Sequence, residues 1–226
     1  MGNTNTDKSE WERFTKEQLI QGLKDKKYEK IVIMTGAGIS VAAGIPDFRS
    51  PGTGLYDNLK EYELPSPESI FDIEFFNEKP EAFYRLAKDF LDMSKFKATY
   101  VHHFCKMLQD KGMVKYYLTQ NIDNLEEQAG FTQDDMVQAH GANFGAVCAK
   151  CKKDNDRAEL ERKVTLGEVM YCSKPDCSGP IKPEITFFGE SLPMKFMNAM
   201  DDLSDADLLI VIGTSLAVSP FNMCVF

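Results

Sequence analysis

Ile31-Val32-Ile33-Met34-Thr35-Gly36-Ala37-Gly38-Ile39-Ser40 is the stretch whose reading decides the fold. Four large apolar residues between Lys30 and Thr35 read as a strand buried on both faces, as in a parallel sheet. The glycines then let the backbone turn tightly and approach a ligand with no Cβ in the way. They open a predicted helix whose free N–H groups favour phosphate. That is a dinucleotide site in outline. The third glycine is Gly44, later than the strict G-x-G-x-x-G spacing, and a structural turn before a helix fits these glycines as well.

Two more segments repeat the theme. Val114 to Thr119 reads as a second strand, followed at once by Gln120-Asn121-Ile122-Asp123, and polar groups just beyond a strand's C-terminal end are where ligands bind in an open α/β sheet. Asp207 to Ile212 reads as another buried strand, ending in Gly213-Thr214-Ser215. Helical patterns lie between the strands. Thr15 and Gln18 can form a capping box ahead of Leu19, Ile20 and Leu23. Phe83, Leu86, Ala87 and Phe90 recur at helical spacing as a core stripe. Met194 to Met200 reads as a helix with Asp201, Asp202 and Asp205 after it on solvent. Residues 44–67 hold four prolines and three glycines, a long loop of the kind that usually carries function. Ile181 to Glu190 suits an exposed edge better than a central strand, because of Pro183.

Composition bounds the function. A chain of 226 residues, 43% hydrophobic, builds one large domain or a domain with a smaller insert. Its net charge of −9 argues against a nucleic-acid surface and favours a basic partner such as a lysine-rich segment. No run of eighteen apolar residues exists and the first ten residues lack an apolar signal core, so the expectation is an intracellular protein, cytoplasmic or nuclear. Met1-Gly2-Asn3-Thr4-Asn5-Thr6 fits the M-G-x-x-x-[ST] myristoylation pattern. With Lys8 as its one basic neighbour, a single acyl chain would hold a membrane marginally, and a disordered tail is the preferred reading.

Cys148, Cys151, Cys172 and Cys177 form C-x₂-C and C-x₄-C pairs separated by twenty residues. Two such pairs supply four thiolates for a closed tetrahedral Zn²⁺ site that folds a small lobe. Two disulfides are disfavoured inside a cell, and the first pair is not at the strand-to-helix turn a redox C-x-x-C needs. Cys105 and Cys224 read as buried apolar residues. Of three histidines, His102 and His103 lie in a helical pattern and read as structural. His140, beside Gly141 and just before the cysteines, is a near-neutral base if the sheet brings it to Asn121 and Asp123.

Taken together, Gly36-Ala37-Gly38-Ile39-Ser40, Gly44 to Pro51, Thr119 to Asp123, His140-Gly141, the four cysteines, Lys182 to Glu190 and Gly213 to Ser215 resemble the sirtuin family of NAD-dependent protein lysine deacylases. Gly54 to Leu59 resembles its short-acyl, acetyl-preferring branch. The resemblance implies an α/β fold: a Rossmann-type parallel-sheet domain from 14–54, 113–142 and 183–226, a loop and helical insert at 55–112, a zinc-ribbon lobe at 143–182 and a flexible tail at 1–13. It implies that Gly36, Ala37, Gly38 and Ser40 cradle the NAD pyrophosphate and that Gly213, Thr214 and Ser215 meet phosphate and ribose. Asp47, Phe48 and Arg49 would form a closing loop over NAD. Gln120 and Asn121 would position the ribose, Asp123 would hold the nicotinamide carboxamide and His140 would be the general base. Thr186, Phe187, Phe188, Gly189 and Glu190 would bind the acyl-lysine substrate, Thr186 and Phe188 lining its tunnel and the Phe187 to Glu190 backbone pairing with it as an added strand.

The implied reaction removes acetyl from protein lysines and yields nicotinamide and O-acetyl-ADP-ribose. Mono-ADP-ribosylation at the same site and a non-catalytic binding module are the alternatives. Ala142 stands where the family carries Ser or Thr, Thr186 where it carries Val, and the second cysteine pair has an x₄ gap. The chain also ends at Phe226 without the family's later strand and adenine-contacting loop, so a lower NAD affinity and stability are expected of it.

Overall fold

A computed structural model describes residues 15–225 except 49, 51, 53, 56–58, 60–63, 91, 92 and 94. The Met1 to Thr6 pattern, Arg49, and Tyr56 to Asn58 of the acetyl-preferring signature lie outside the described residues. The helices are α1 (Lys16–Lys24), α2 (Ile73–Glu78), α3 (Pro80–Phe90), α4 (Tyr100–Asp110), α5 (Leu125–Gln128), α6 (Arg157–Leu166) and α7 (Met194–Asp201). The strands are β1 (Ile31–Thr35), β2 (Val114–Thr119), β3 (Val137–Gln138), β4 (Gly141–Cys148), β5 (Ile181–Ile185) and β6 (Leu208–Ile212).

Four strands form a parallel sheet in the order β3-β2-β1-β6. Side chains alternate across it, so β1 feeds two cores. Ile31 and Ile33 pack on one face with Cys105 and Leu108 of α4 and with Tyr117, and Leu19 and Leu23 of α1 join them. Val32 and Met34 pack on the other face with Leu118, Phe196 and Ala199 of α7, and Phe221. Helix α1 starts at the expected capping box: Thr15 Oγ1 accepts the Gln18 N–H and Gln18 Oε1 accepts the Thr15 N–H. Its Ile20, expected on the apolar face, is instead exposed.

A third core joins Phe76, Phe83, Leu86 and Ala87 of α2 and α3 to Leu160 and Val164 of α6 and to Ile181, Ile185 and Phe187. Here β4 and β5 form a two-stranded antiparallel sheet, so the Pro183 strand is an edge strand, but not the exposed one expected, since α2, α3 and α6 leave only Glu184 of it uncovered.

Two expectations need correction. The β1 turn does not open an α-helix; it runs through two 3₁₀ turns, Ala37–Ile39 and Val41–Ala43, the second ended by Gly44 at φ 95°. Nor is β6 buried on both faces. Leu208, Ile210 and Ile212 pack inward, but Leu209 and Val211 are each 39% exposed. The physical reason is position: among the described residues β6 pairs with β1 alone, at the sheet edge.

Candidate active site

Register brings the strand ends level. Thr35 pairs with Thr119 of β2 on one side and with Ile212 of β6 on the other. The chain runs from β1 to β2 in one direction across the sheet, and β6 lies on the opposite side of β1. That crevice beyond the carboxyl ends is where open α/β sheets bind ligands. The β1 and β6 exits then touch backbone to backbone: Gly36 N–H donates to Ile212 C=O (3.2 Å) and Gly38 N–H to Gly213 C=O (2.8 Å). A Cβ on Gly38 would stand 2.7 Å from Gly213 Cα, so glycine is required for this contact.

The β2 exit supplies polar groups. Thr214 Oγ1 donates to Gln120 Oε1 (2.6 Å), joining the β2 and β6 exits. Asn121 N–H donates to Thr119 Oγ1 (3.1 Å), and its amide Nδ2 donates to Ser40 Oγ (3.4 Å). Ser40 Oγ in turn donates to Asp123 Oδ2 (2.6 Å), while Asp123 Oδ1 accepts the Leu125 N–H (3.0 Å). Behind this layer lie two buried groups that sequence reasoning did not assign to the site, His102 and Glu126, with ring nitrogen and carboxylate oxygens all within 4.8 Å of one another and of Asp123. His102 Nδ1 accepts the Thr99 N–H (3.1 Å), so its neutral ring carries the proton on Nε2, which has no hydrogen-bond partner. Burial, then Asp123, pushes the Glu126 carboxyl up to about 7.

His140 is anchored from both ends. Its carbonyl accepts the Thr186 N–H (2.8 Å), and its Nδ1 lies 3.1 Å from the Gln120 carbonyl oxygen. A carbonyl can only accept, so the neutral ring carries its proton on Nδ1 and its lone pair on Nε2. Burial lowers the His140 pKa below its ordinary value and so favours the neutral ring at pH 7, with the Gln120 bond offsetting part of that effect.

These groups line one cavity of about 680 Å³. Ala37, Gly38, Asp47, Phe48, Gln120, Asn121, His140, Gly213, Thr214, Ser215 and all of Thr186 to Glu190 reach it. Gly36, Ser40 and Asp123 do not; Ser40 is one hydrogen bond behind Asn121. Phe48 packs edge-on against Phe71 at 5.9 Å, and Asp47 accepts the Ser50 N–H and hydroxyl (2.7 and 2.5 Å). On the far wall, the Phe187 ring is buried against Phe71, Phe76 and Phe83, whereas Phe188 is exposed. Three of the backbone donors expected to pair with a substrate, those of Phe187, Phe188 and Glu190, are occupied within the chain, the Glu190 N–H by Phe187 C=O (3.0 Å). Phe187 N–H goes to Glu190 Oε2 (2.9 Å) and Phe188 N–H to Phe71 C=O (2.8 Å).

The four cysteines converge away from this cavity. All four Sγ atoms lie within 4.8 Å of one another, with Cys148 to Cys177 at 3.5 Å and Cys151 to Cys172 at 3.8 Å. A tetrahedral Zn²⁺ with bonds of ~2.3 Å sets its sulfurs about 3.8 Å apart, whereas a disulfide needs ~2.05 Å. The thiols are free and the donor set fits a zinc ion. Backbone N–H groups of Cys151 and Lys174 point at Cys148 and Cys172 Sγ (3.5 and 3.4 Å).

A family profile described as the Sir2 family matches residues 36–220, from the first glycine of the β1 turn to the wall of the cavity. The chain belongs to the Sir2 family. It is 47% identical over 209 residues to the NAD-dependent deacetylase sir2A of Dictyostelium discoideum, covering 92% of this chain and 41% of that protein. It is 44% identical over 213 residues to the zebrafish NAD-dependent protein deacetylase sirtuin-2, covering 93% and 55%. The mouse NAD-dependent protein deacetylase sirtuin-3 is 41% identical over 209 residues, covering 92% and 62%. The chain therefore spans about half the length of these Sir2 relatives. The cavity of this Sir2 chain also takes in Phe71, Ile122 and Ala217 to Pro220, which sequence reasoning passed over. Phe71 and Ile122 gave no signal beyond hydrophobicity; the small residues after Ser215 could have been found by extending the glycine-hydroxyl theme.

Proposed function

We propose that the chain is the catalytic portion of an NAD-dependent protein lysine deacetylase, with acetylated lysines of proteins as substrate. The carrying observation is the His140 ring: one nitrogen tied to the Gln120 carbonyl, the other a lone-pair acceptor, in a ring that lines the cavity at the strand ends. The names of the relatives, deacetylases dependent on NAD, support the same reading.

In this proposal Gly36 to Gly38 and Gly213 to Ser215 take the pyrophosphate and adjoining ribose. Gln120 and Asn121 orient the second ribose, and Asp123, behind the lining, serves the carboxamide end by fixing the Ser40 hydroxyl that holds the Asn121 amide. NAD, when bound, supplies an electrophilic ribose carbon, nicotinamide as leaving group and the hydroxyl that ends up carrying the acetyl group. His140 Nε2 accepts the proton of that hydroxyl; a positioned neutral imidazole contributes roughly 10²–10⁴-fold. Phe48, braced on Phe71, excludes water from the ribose carbon. Thr186 and Phe188 line the acyl-lysine channel, and the Gly189 backbone and the Glu190 carbonyl are the part of that wall that pairs with the peptide. Cys148, Cys151, Cys172 and Cys177 hold Zn²⁺ in a closed shell, so the ion folds its segment and takes no part in the reaction.

Two cores flanking the parallel sheet, and a third uniting residues 55–87 with the 143–182 stretch, support a division into a large NAD-binding part and a smaller zinc and helical part, with α4 of the 55–112 stretch packing on the large part. Free thiols suit an intracellular setting. Among the described residues no helix is long and apolar enough to cross a membrane. Product analysis by mass spectrometry with an acetyl-lysine peptide tests the reading: the acetyl group is expected on ADP-ribose. Label from NAD retained on the protein instead would support mono-ADP-ribosylation and overturn it.

A further inference from the structure

The Thr186 to Glu190 wall closes on a lysine that the reaction does not use. Lys182 is 2% exposed. Its ammonium donates to Ile185 C=O (2.5 Å), Pro183 C=O (3.3 Å) and Glu190 Oε2 (2.9 Å), and lies 4.6 Å from the Phe187 ring centre. A buried cation persists only where its donors are met, and here they are. Glu190 Oε2 also accepts the Phe187 N–H (2.9 Å), and Glu190 N–H returns a bond to Phe187 C=O (3.0 Å), so the turn is closed twice. The other carboxylate oxygen, Oε1, takes the Lys152 ammonium at 2.5 Å. Lys152 follows Cys151 directly, and its own N–H is held by Cys148 C=O (3.0 Å).

We propose that Lys182 is a positioning residue for the acyl-lysine wall: with Lys152 it holds the Glu190 carboxylate on the Phe187 N–H, fixing the turn that faces the peptide and tying it to the cysteine cluster. This rests on the deacetylase reading. Without the Lys182 charge, Glu190 keeps one exposed cation and swings toward it, leaving the Phe187 N–H without an acceptor. Phe188 stays, because its N–H and C=O bond to Phe71 and Ile73 (2.8 and 3.0 Å). The loosening is therefore confined to one amide and the residues after it.

Hydrogen exchange of the Phe187 amide, with Phe188 as internal reference, and the KM values for acetyl-lysine peptide and NAD test this. Lys182→Met is expected to speed Phe187 exchange and raise the peptide KM by about tenfold each, as loss of a charged hydrogen bond does, with Phe188 exchange and the NAD KM within about twofold. Lys152→Ala, whose side chain is 58% exposed and whose folding is not in question, moves both readouts the same way by less. Exchange and peptide KM both within about twofold of the parent in these variants would overturn the proposal. Faster exchange with an unchanged peptide KM would overturn it too. If Lys182→Met does not fold, Lys152→Ala decides by the same criteria. If the parent turns over no peptide, the deacetylase reading fails, while Phe187 exchange and peptide binding by fluorescence anisotropy still decide the clamp.

Discussion

Gly141→Ala is the substitution whose effect the geometry specifies most fully. Gly141 follows His140, opens β4 and has φ 71°. A Cβ there would stand 2.2 Å from the Glu184 carbonyl oxygen and 3.2 Å from the Thr186 nitrogen. Reaching an ordinary contact requires β4 and β5 to part by about 1 Å. That displacement falls on the Thr186 N–H bond to the His140 carbonyl (2.8 Å), so the imidazole moves with it. A shift of about 1 Å in a positioned catalytic group costs roughly 10²-fold in rate. Left-handed strain of ~1–2 kcal/mol and a lost backbone bond of ~1 kcal/mol together destabilise by about 2–3 kcal/mol. For a chain of this size that lowers Tm by about 4–12 °C. Calorimetry and kcat at saturating NAD and acetyl-lysine peptide read the two effects. A kcat within about twofold of the parent, despite the lowered Tm, would refute the claim that the β4–β5 contact positions His140.

Three other predictions concern protons and metal. Because burial lowers the His140 pKa, the acid limb of kcat should lie below pH 6.5, with activity rising with pH to a plateau; an acid limb above 6.5 would contradict a base buried neutral. Removing metal with a chelator, or one ligand by Cys172→Ser, should release zinc and unfold the 143–182 segment, since structural zinc contributes on the order of 10 kcal/mol; unchanged circular dichroism in metal-free protein would exclude a structural ion. Glu126 titrates at 4.5 when exposed and is raised to about 7 by burial and Asp123, with Tyr117 donating at 3.2 Å, so its contribution to stability is whole below pH 4.5 and is lost as pH rises through 7. Glu126→Gln should therefore flatten the pH dependence of stability and be more stable than the parent at pH 8 by about 3 kcal/mol, read from urea melts; equal pH profiles would refute a raised carboxyl.

What was legible in the sequence follows from what each pattern is sensitive to. Ile31 to Thr35 read correctly because a strand covered on both faces needs apolar residues at every position. The cysteine quartet read correctly because ligand spacing reports the knuckle geometry directly. Leu208 to Ile212 misled because an apolar run looks the same whether one face is covered or two, and the exposure of Leu209 and Val211 depends on a neighbouring strand, not on β6 itself. The helix expected after Gly36 gave way to 3₁₀ turns because Gly38 and Gly213 must meet backbone to backbone, a long-range contact that local propensity does not encode. Glu126 escaped notice for a related reason. Leu125-Glu126-Glu127-Gln128 resembles a solvated acidic turn, and only the packing of α4 against the β2 exit buries Glu126 beside Asp123.

The central claim is that this chain carries a deacetylase site with His140 as its base. Nicotinamide release measured with NAD alone, peptide alone and both together, for the parent and for His140→Ala, tests it most directly. Release that requires NAD and the acetyl-lysine peptide together, and a loss of turnover in His140→Ala, is the predicted result. Release that ignores the peptide, or that survives in His140→Ala, would contradict it.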